Sequence, residues 1–210
     1  MISHKLRIPH ASRSQGIAAI EFALVLPFLI LLSLAVVDFS RYIQAQLIIN
    51  NVSREGASLA ARSTKSMVNL DYQAIMDGLA ASMPPLRMST AGMIYITEVT
   101  AISANNIVTN TVTNQFRWQQ GWSSSHYVPD SSIWNCGEDS THWDADGSCA
   151  MNTGPNKPTA NLMTGQLNAG DQIYAAEVFY ELPSLFGGMQ ISANISIPNV
   201  GPVLHSMNVL

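Results

Sequence analysis

Charge is what this chain has least of. Asp, Glu, Lys and Arg make up 11% of its 210 residues, less than half of the roughly 25% found in an average soluble domain. Bases are scarcest in the C-terminal part, where residues 88–210 hold only Arg117 and Lys157 against nine acids. A nucleic-acid binder needs Lys and Arg clustered on its folded part to displace counterions from phosphates; that class is excluded. Cysteine is nearly absent too, with Cys136 and Cys149 the only two. Catalytic signatures are missing: there is no Gly-x-Ser-x-Gly elbow, no Gly-rich phosphate loop with Lys and no His-Glu-x-x-His. The five histidines, His4, His10, His126, His142 and His205, are scattered and read as surface residues. No catalytic residue, resident cofactor, metal or small-molecule substrate is therefore assigned. At 22.7 kDa there is room for one ordinary domain plus a helix or tail, which rules out a multidomain enzyme and a long repeat array.

What the chain has in surplus is apolar surface, at 47% of residues with a mean hydropathy of +0.14. The surplus is concentrated between Ile17 and Val37, a run of 21 residues interrupted only by Glu21, Pro27 and Ser33. As a helix rising about 1.5 Å per residue, that run spans the ~30 Å hydrocarbon core of a bilayer. Lys5, Arg7 and Arg13 precede it without an acid, and Asp38 follows it. The positive-inside bias then places the N-terminus in the cytoplasm and the chain beyond about residue 40 outside.

Three readings of this segment compete. A cleaved secretory signal would use Ser33-Leu34-Ala35 as its small-x-small site, although the apolar run continues through it. A plain anchor has no use for Glu21, since a carboxylate inside the bilayer costs on the order of 2.5–3.5 kcal/mol on insertion scales. The third reading accounts for the acid. A cut between Gly16 and Ile17 creates an α-amino cation four residues from Glu21. In a bundle of such helices the amine of one subunit neutralises the carboxylate of its neighbour, so that correct assembly satisfies both groups.

Gly16-Ile17-Ala18-Ala19-Ile20-Glu21-Phe22 resembles the prepilin-peptidase site of type IV pilin-like proteins, in which a short basic leader ends in Gly and the fifth mature residue is Glu. The continuation through Phe22 to Pro27, then Arg54-Glu55-Gly56-Ala57-Ser58 and Ala60-Ala61-Arg62, resembles the TadE-like pseudopilins of tight-adherence (Flp, type IVb) pilus systems. Ser58 stands where that family usually has Arg. Gly170-Asp171-Gln172-Ile173 leading to Val178-Phe179-Tyr180 and Pro183 resembles the family's last long strand. The resemblance covers residues 13–62 and roughly 168–186. It implies a structural, non-enzymatic subunit of the bacterial inner membrane, single-pass with a periplasmic C-terminal domain, cut by prepilin peptidase and partnered by major and minor pilins. Glu21, beside Phe22, would set register and charge pairing, and Pro27 would kink or loosen the helix. The alternative is an unprocessed membrane-anchored domain that holds a ligand or calcium. A small extracytoplasmic enzyme is a third reading that no motif favours.

After the membrane run, Tyr42, Ala45, Ile49, Val52, Gly56 and Leu59 recur at spacings of three and four, one apolar stripe on a helix. The two stretches together predict a helix of about 45 residues, roughly 65–70 Å long. Its stripe faces either the domain or neighbouring subunits. Asn69 is a candidate cap for a second helix carrying Tyr72, Ile75, Met76, Leu79 and Met83, stopped by Pro84-Pro85. β-Branched runs then predict a hairpin over 93–102 and 107–118, and a second pair over 172–182 and 189–197 around Gly187-Gly188. The expected class is α+β, a four-stranded antiparallel sheet with helices on its apolar face. The expected organisation is a leader at 1–16, a membrane helix and stalk at 17–63 and an outer domain at 64–210.

Residues 119–170 have little periodicity and read as one long loop. Cys136 and Cys149 lie in it, on the oxidising side of the membrane, and a disulfide is expected, worth about 3 kcal/mol for a loop of this size. His142 between them does not complete a zinc tetrahedron. Asp144-Ala145-Asp146-Gly147, near Glu138 and Asp139, opens like a calcium loop, but Ser148, Cys149 and Pro155 fall where an EF-hand requires an acid or amide, a glycine and a glutamate. A solvated acidic loop is expected. Trp118, Trp122, Tyr127, Trp134 and Trp143 either form a binding surface or cover the loop's own small core.

Overall fold

The computed structural model describes residues 14–63, 71–121, 128–137, 142–150, 158–183, 185, 190–192, 195–196 and 202–210. The stretch before residue 14, within the expected leader, and Asn69, Trp122, His126, Tyr127, Glu138, Asp139 and Gly187-Gly188 lie outside them. The first helix, α1, runs Ser14–Ser63, 50 residues with Pro27 inside it. The chain divides into two compact units between Arg41 and Tyr42. In the first, the side chains from Ile17 to Val37 are almost all exposed; Phe22, Phe28 and Leu31 are each more than 60% accessible. This helix is long and apolar enough to cross a bilayer and fits a single-pass anchor. Hydrocarbon is the medium in which such a surface costs nothing.

The second unit begins with α1 from Tyr42, followed by α2 (Tyr72–Ala81), α3 (Met88–Ala91), β1 (Gly92–Ala104) and β2 (Ile107–Arg117). β3 (Gln172–Glu181), β4 (Gln190–Ser192), β5 (Ile195–Ser196) and β6 (Val203–Val209) complete it. The class is α+β, and the main sheet has order β2-β1-β3-β6 with every pairing antiparallel. Asn105 and Asn106, with φ of 53° and 65°, make the tight turn between β1 and β2, as the right-handed twist of a hairpin favours.

Two expectations are corrected. The fourth strand is Val203–Val209, because Tyr174 and Leu210 exchange both backbone bonds (2.8 and 3.0 Å) and the ladder continues from that pair. The stretch expected to fill that place instead forms its own small pair, β4 with β5. The cap of α2 is Asp71, whose Oδ1 accepts from the Ala74 N–H at 3.1 Å, the geometry that satisfies a free N-terminal donor.

One sheet face presents Ile94 and Ile96 of β1, Tyr174, Ala176, Val178 and Tyr180 of β3, and Leu204 and Ser206 of β6, as strand alternation and register require. Against it pack α1 and α2, giving a core that includes Ala45, Ile49, Val52, Ala60, Met76, Leu79 and Met83. The α1 stripe thus faces the domain. Its edges are shifted from the expected set: Tyr42 and Leu59 are exposed, whereas Ser53 and Ala57 are fully buried. Ser53 is held by polar bonds to β6, with its Oγ 2.8 Å from the Ser206 Oγ and accepting from Asn208 Nδ2 at 2.6 Å.

Gly56 lets α1 approach this closely. A Cβ placed there would lie 2.9 Å from Leu79 Cδ1 and 3.1 Å from Ala176 Cβ. Leu79 can swing, but Ala176 belongs to the central strand β3 and cannot. Gly56→Ala is expected to be close to neutral, since about 1 kcal/mol of helix propensity offsets mild crowding. Gly56→Val, which adds two methyls against Ala176, is expected to cost about 2–3 kcal/mol. Thermal unfolding of the full chain in detergent, followed by near-ultraviolet circular dichroism, measures the difference.

Candidate functional site

The opposite sheet face carries the chemistry. Alternation places Tyr95, Thr97 and Val99 of β1 there with Ile173, Ala175, Glu177 and Phe179 of β3, and Gln115 of β2 opposite Thr97. Three of these side chains, Thr97, Gln115 and Glu177, are polar and fully buried. A carboxylate without water is tolerable only if hydrogen bonds replace its hydration. The segment 128–136 supplies them by lying across the face as a strap.

Ser131 Oγ donates to Glu177 Oε2. Ser132 donates to Oε1 twice, from its N–H at 2.9 Å and from its Oγ at 2.5 Å. His205 Nε2 lies 3.3 Å from the same Oε1, its ring fixed by stacking on Phe179 at 4.4 Å. On either side, the Tyr95 hydroxyl donates to Pro129 O at 2.7 Å, and Gln115 Nε2 donates to Trp134 O at 2.9 Å and to Thr97 Oγ1 at 3.2 Å. Burial pushes the Glu177 pKa up, but the bonds from His205, Ser131 and Ser132 outweigh it and hold the carboxyl below its ordinary value. Both serines and the histidine converge on the carboxylate, so it is an acceptor hub that fastens the strap.

The rest of the loop is stapled and packed. Cys136 and Cys149 form a disulfide with Cα atoms 6.1 Å apart. Three of the tryptophans turn inward. Trp118 is buried and donates to Asp77 Oδ1 at 2.7 Å, and Trp134 packs against the smaller core of Val99, Val112, Ile133 and Ile173. Trp143 donates to Gly137 O at 2.9 Å and lies under the Arg117 guanidinium at 4.7 Å. Where described, the aromatic loop covers its own core. Asp144 and Asp146 are exposed in a turn, and the Ser148 Oγ and N–H donate to Asp146 Oδ1 at 2.6 and 2.9 Å. Those bonds lower the Asp146 pKa. Among the described residues no group of three or more His, Cys, Asp or Glu is arranged to hold a metal ion.

The residues expected to act in processing and assembly sit elsewhere, on α1. The helix starts at Ser14, so Gly16 and Ile17 lie in its first turns. Glu21 is exposed beside Phe22, four residues after Ile17, and Pro27 is inside the helix, where it removes one backbone bond. Glu177 was missed by motif reasoning. Its signal is an acid in the middle of the alternating apolar strand Gln172–Glu181, a place where a charge must be paired.

The fold defines a protein with one N-terminal apolar helix of membrane-spanning length that runs into an α+β domain. Over most of that helix the chain is similar to a known family: the family model described as TadE-like protein matches residues 16–58. No curated protein and no solved structure matches the chain.

The Glu177 hub has a pH signature. Its folded pKa lies below the ordinary value, so its contribution to stability is complete above about pH 5 and is lost as pH falls through the carboxylate range toward the folded pKa. Glu177→Gln is expected to lower unfolding free energy by about 2 kcal/mol at neutral pH and to flatten the acid limb. Denaturant titrations at a series of pH values check both. Cys136→Ala with Cys149→Ala is expected to cost about 3 kcal/mol, read as a lower denaturation midpoint against the oxidised chain.

Proposed function

We propose that this protein is a structural, non-enzymatic minor pilin-like subunit of a bacterial Flp/Tad pilus assembly machine, cut after Gly16 by prepilin peptidase. The observation that carries the reading is the TadE-like match beginning at residue 16, where a basic leader gives way to an apolar helix with Glu21 at its fifth position after the cut. The chain is inserted with its N-terminus in the cytoplasm and its domain in the periplasm, in keeping with Lys5, Arg7 and Arg13 before the span. Major and minor pilins of the same system are its partners.

In this reading the leader is lost to expose the Ile17 amine. That ammonium meets Glu21 of an adjacent helix inside the membrane, where neither ion is tolerated alone. Glu21 faces outward on α1, as a pairing between subunits requires. Pro27 leaves a carbonyl one turn back without its donor and loosens the helix where neighbours pack. The buried stripe from Ala45 to Ala60 is already used by the domain, so intersubunit packing draws on the exposed part of the helix before it.

Intact mass and N-terminal sequencing of the protein, purified after co-expression with prepilin peptidase, test the proposal. A mature chain beginning at Ile17 is the expected result, and Gly16→Glu is expected to abolish the cut. A chain that keeps Met1 with active peptidase present would make it an unprocessed anchored domain.

A further inference from the structure

The strands of the sheet are held by different means. β3 is sealed on both faces, with Ile173 to Tyr180 all buried, and β1 is buried from Gly92 to Thr97. β6 is not. Of its side chains only Leu204 and Ser206 are buried, and the second is polar. Its described hydrogen bonds with α1 come from a polar row at spacings of four and three. Gln46 Nε2 donates to His205 O at 3.4 Å, Asn208 Nδ2 donates to Asn50 O at 3.5 Å and to Ser53 Oγ at 2.6 Å, and the Ser53 and Ser206 hydroxyls lie 2.8 Å apart. Bonds of this kind are exchanged against bonds to water, so they hold a strand less firmly than apolar burial does. The strap is attached in a similar way. No described backbone-to-backbone bond joins residues 128–136 to the sheet; side chains make the attachment, Tyr95 at Pro129, Gln115 at Trp134 and Glu177 at both serines.

These two lightly held elements meet at one carboxylate. Glu177 Oε1 accepts both Ser132 bonds and faces His205 Nε2 at 3.3 Å, and Ser132 Oγ lies 3.9 Å from Met207 Sδ. Tyr95 of β1 stands beside Glu177 as its register partner, and Arg117 of β2 lies farther along the same face, over Trp143. Asp130 of the strap is exposed and Glu181 of β3 half-buried. Donors aimed at a charge make bonds about twice as strong as neutral ones. A neutral group in place of the carboxylate therefore weakens the strap and β6 together, and it leaves the helix-covered face as it is.

We propose that β6 and the strap form one latch, fastened at Glu177, which opens as a unit when the carboxylate is neutralised while α1 from Tyr42, α2, β1 and β3 stay packed. Opening uncovers Val99, Ile173 and Ala175, which the strap's Ile133 seals when closed. The Cys136–Cys149 bond at the end of the strap keeps the freed segment tethered beside β2, where Cys149 N–H donates to Gln115 O at 2.8 Å. Local openings of this kind are drawn from the parts of a fold with the fewest buried apolar contacts.

Amide hydrogen exchange on the full chain in nanodiscs tests the latch. The probes are Ile133 in the strap and Ser206 and Asn208 in β6, whose amides point to β3 in the ladder phase set by the Tyr174–Leu210 exchange. Ile49, Leu79 and Ala175 report on the core. Glu177→Gln is expected to speed exchange at Ile133, Ser206 and Asn208 by one common factor of about tenfold or more, with the core probes changing less than about threefold. Two further variants distinguish one opening from two. His205→Phe, which keeps a ring stacked on Phe179, is expected to speed exchange at Ile133 by about fivefold or more, and Ser132→Ala to do the same at Ser206 and Asn208, since coupling between sites is reciprocal. A change confined to the mutated side in either variant would show separate openings and overturn the latch. Equal acceleration at the core probes, which is global unfolding, or unchanged exchange in Glu177→Gln would overturn it as well.

Discussion

A carboxylate with no access to water sits on the second face of the sheet, and the loop above it is ordered around that fact. Glu177 cannot be buried alone, since an unpaired charge in a low-dielectric interior costs several kcal/mol. Ser131, Ser132 and His205 answer it from two different parts of the chain. Because two of those donors belong to the strap, satisfying the charge also fixes where residues 128–136 run. Once they are fixed, Ile133 seals the smaller core and Trp134 presents its carbonyl to Gln115. A polar group that would be a liability in an open sheet here specifies one placement of a segment without secondary structure of its own.

The same constraint accounts for β3. Eight consecutive residues, Ile173 to Tyr180, are buried, although an antiparallel strand with one solvated face would alternate. Helices cover one side and the strap covers the other, so both sets of side chains are inside. The loop then continues to the β2 edge and closes it through residues 147–149 and 158–160. One irregular segment thus covers a face and an edge of the sheet.

Much of this was legible along the chain. The apolar run from Ile17 and the stripe through Ala45, Ile49 and Val52 announce a single long helix because their periodicity is local and strong. The Asn105-Asn106 turn flanked by β-branched residues announces the first hairpin for the same reason. Gly56 falls on that stripe, and the structure shows that Ala176 is what the helix approaches there. The fourth strand was not legible. Val203–Val209 mixes His, Ser and Asn with apolar residues, and its partner lies across a connection of some twenty residues, a separation over which local propensity carries no information about pairing. Glu177 was visible as an anomaly, an acid in an apolar strand, but its donors could not be named from spacing.

The sequence by itself determined the membrane-length helix, the basic stretch before it, the position of Glu21 after Gly16, and the α+β class, since each depends on composition and short-range periodicity. Tertiary structure alone decided which strand completes the sheet, which side chains quiet the buried acid, and which sheet edge the loop covers. Those outcomes depend on hydrogen bonds between groups far apart in the chain, as when Ser131 meets Glu177 or Ser53 meets Ser206; such bonds form only as the chain satisfies its buried polar atoms together.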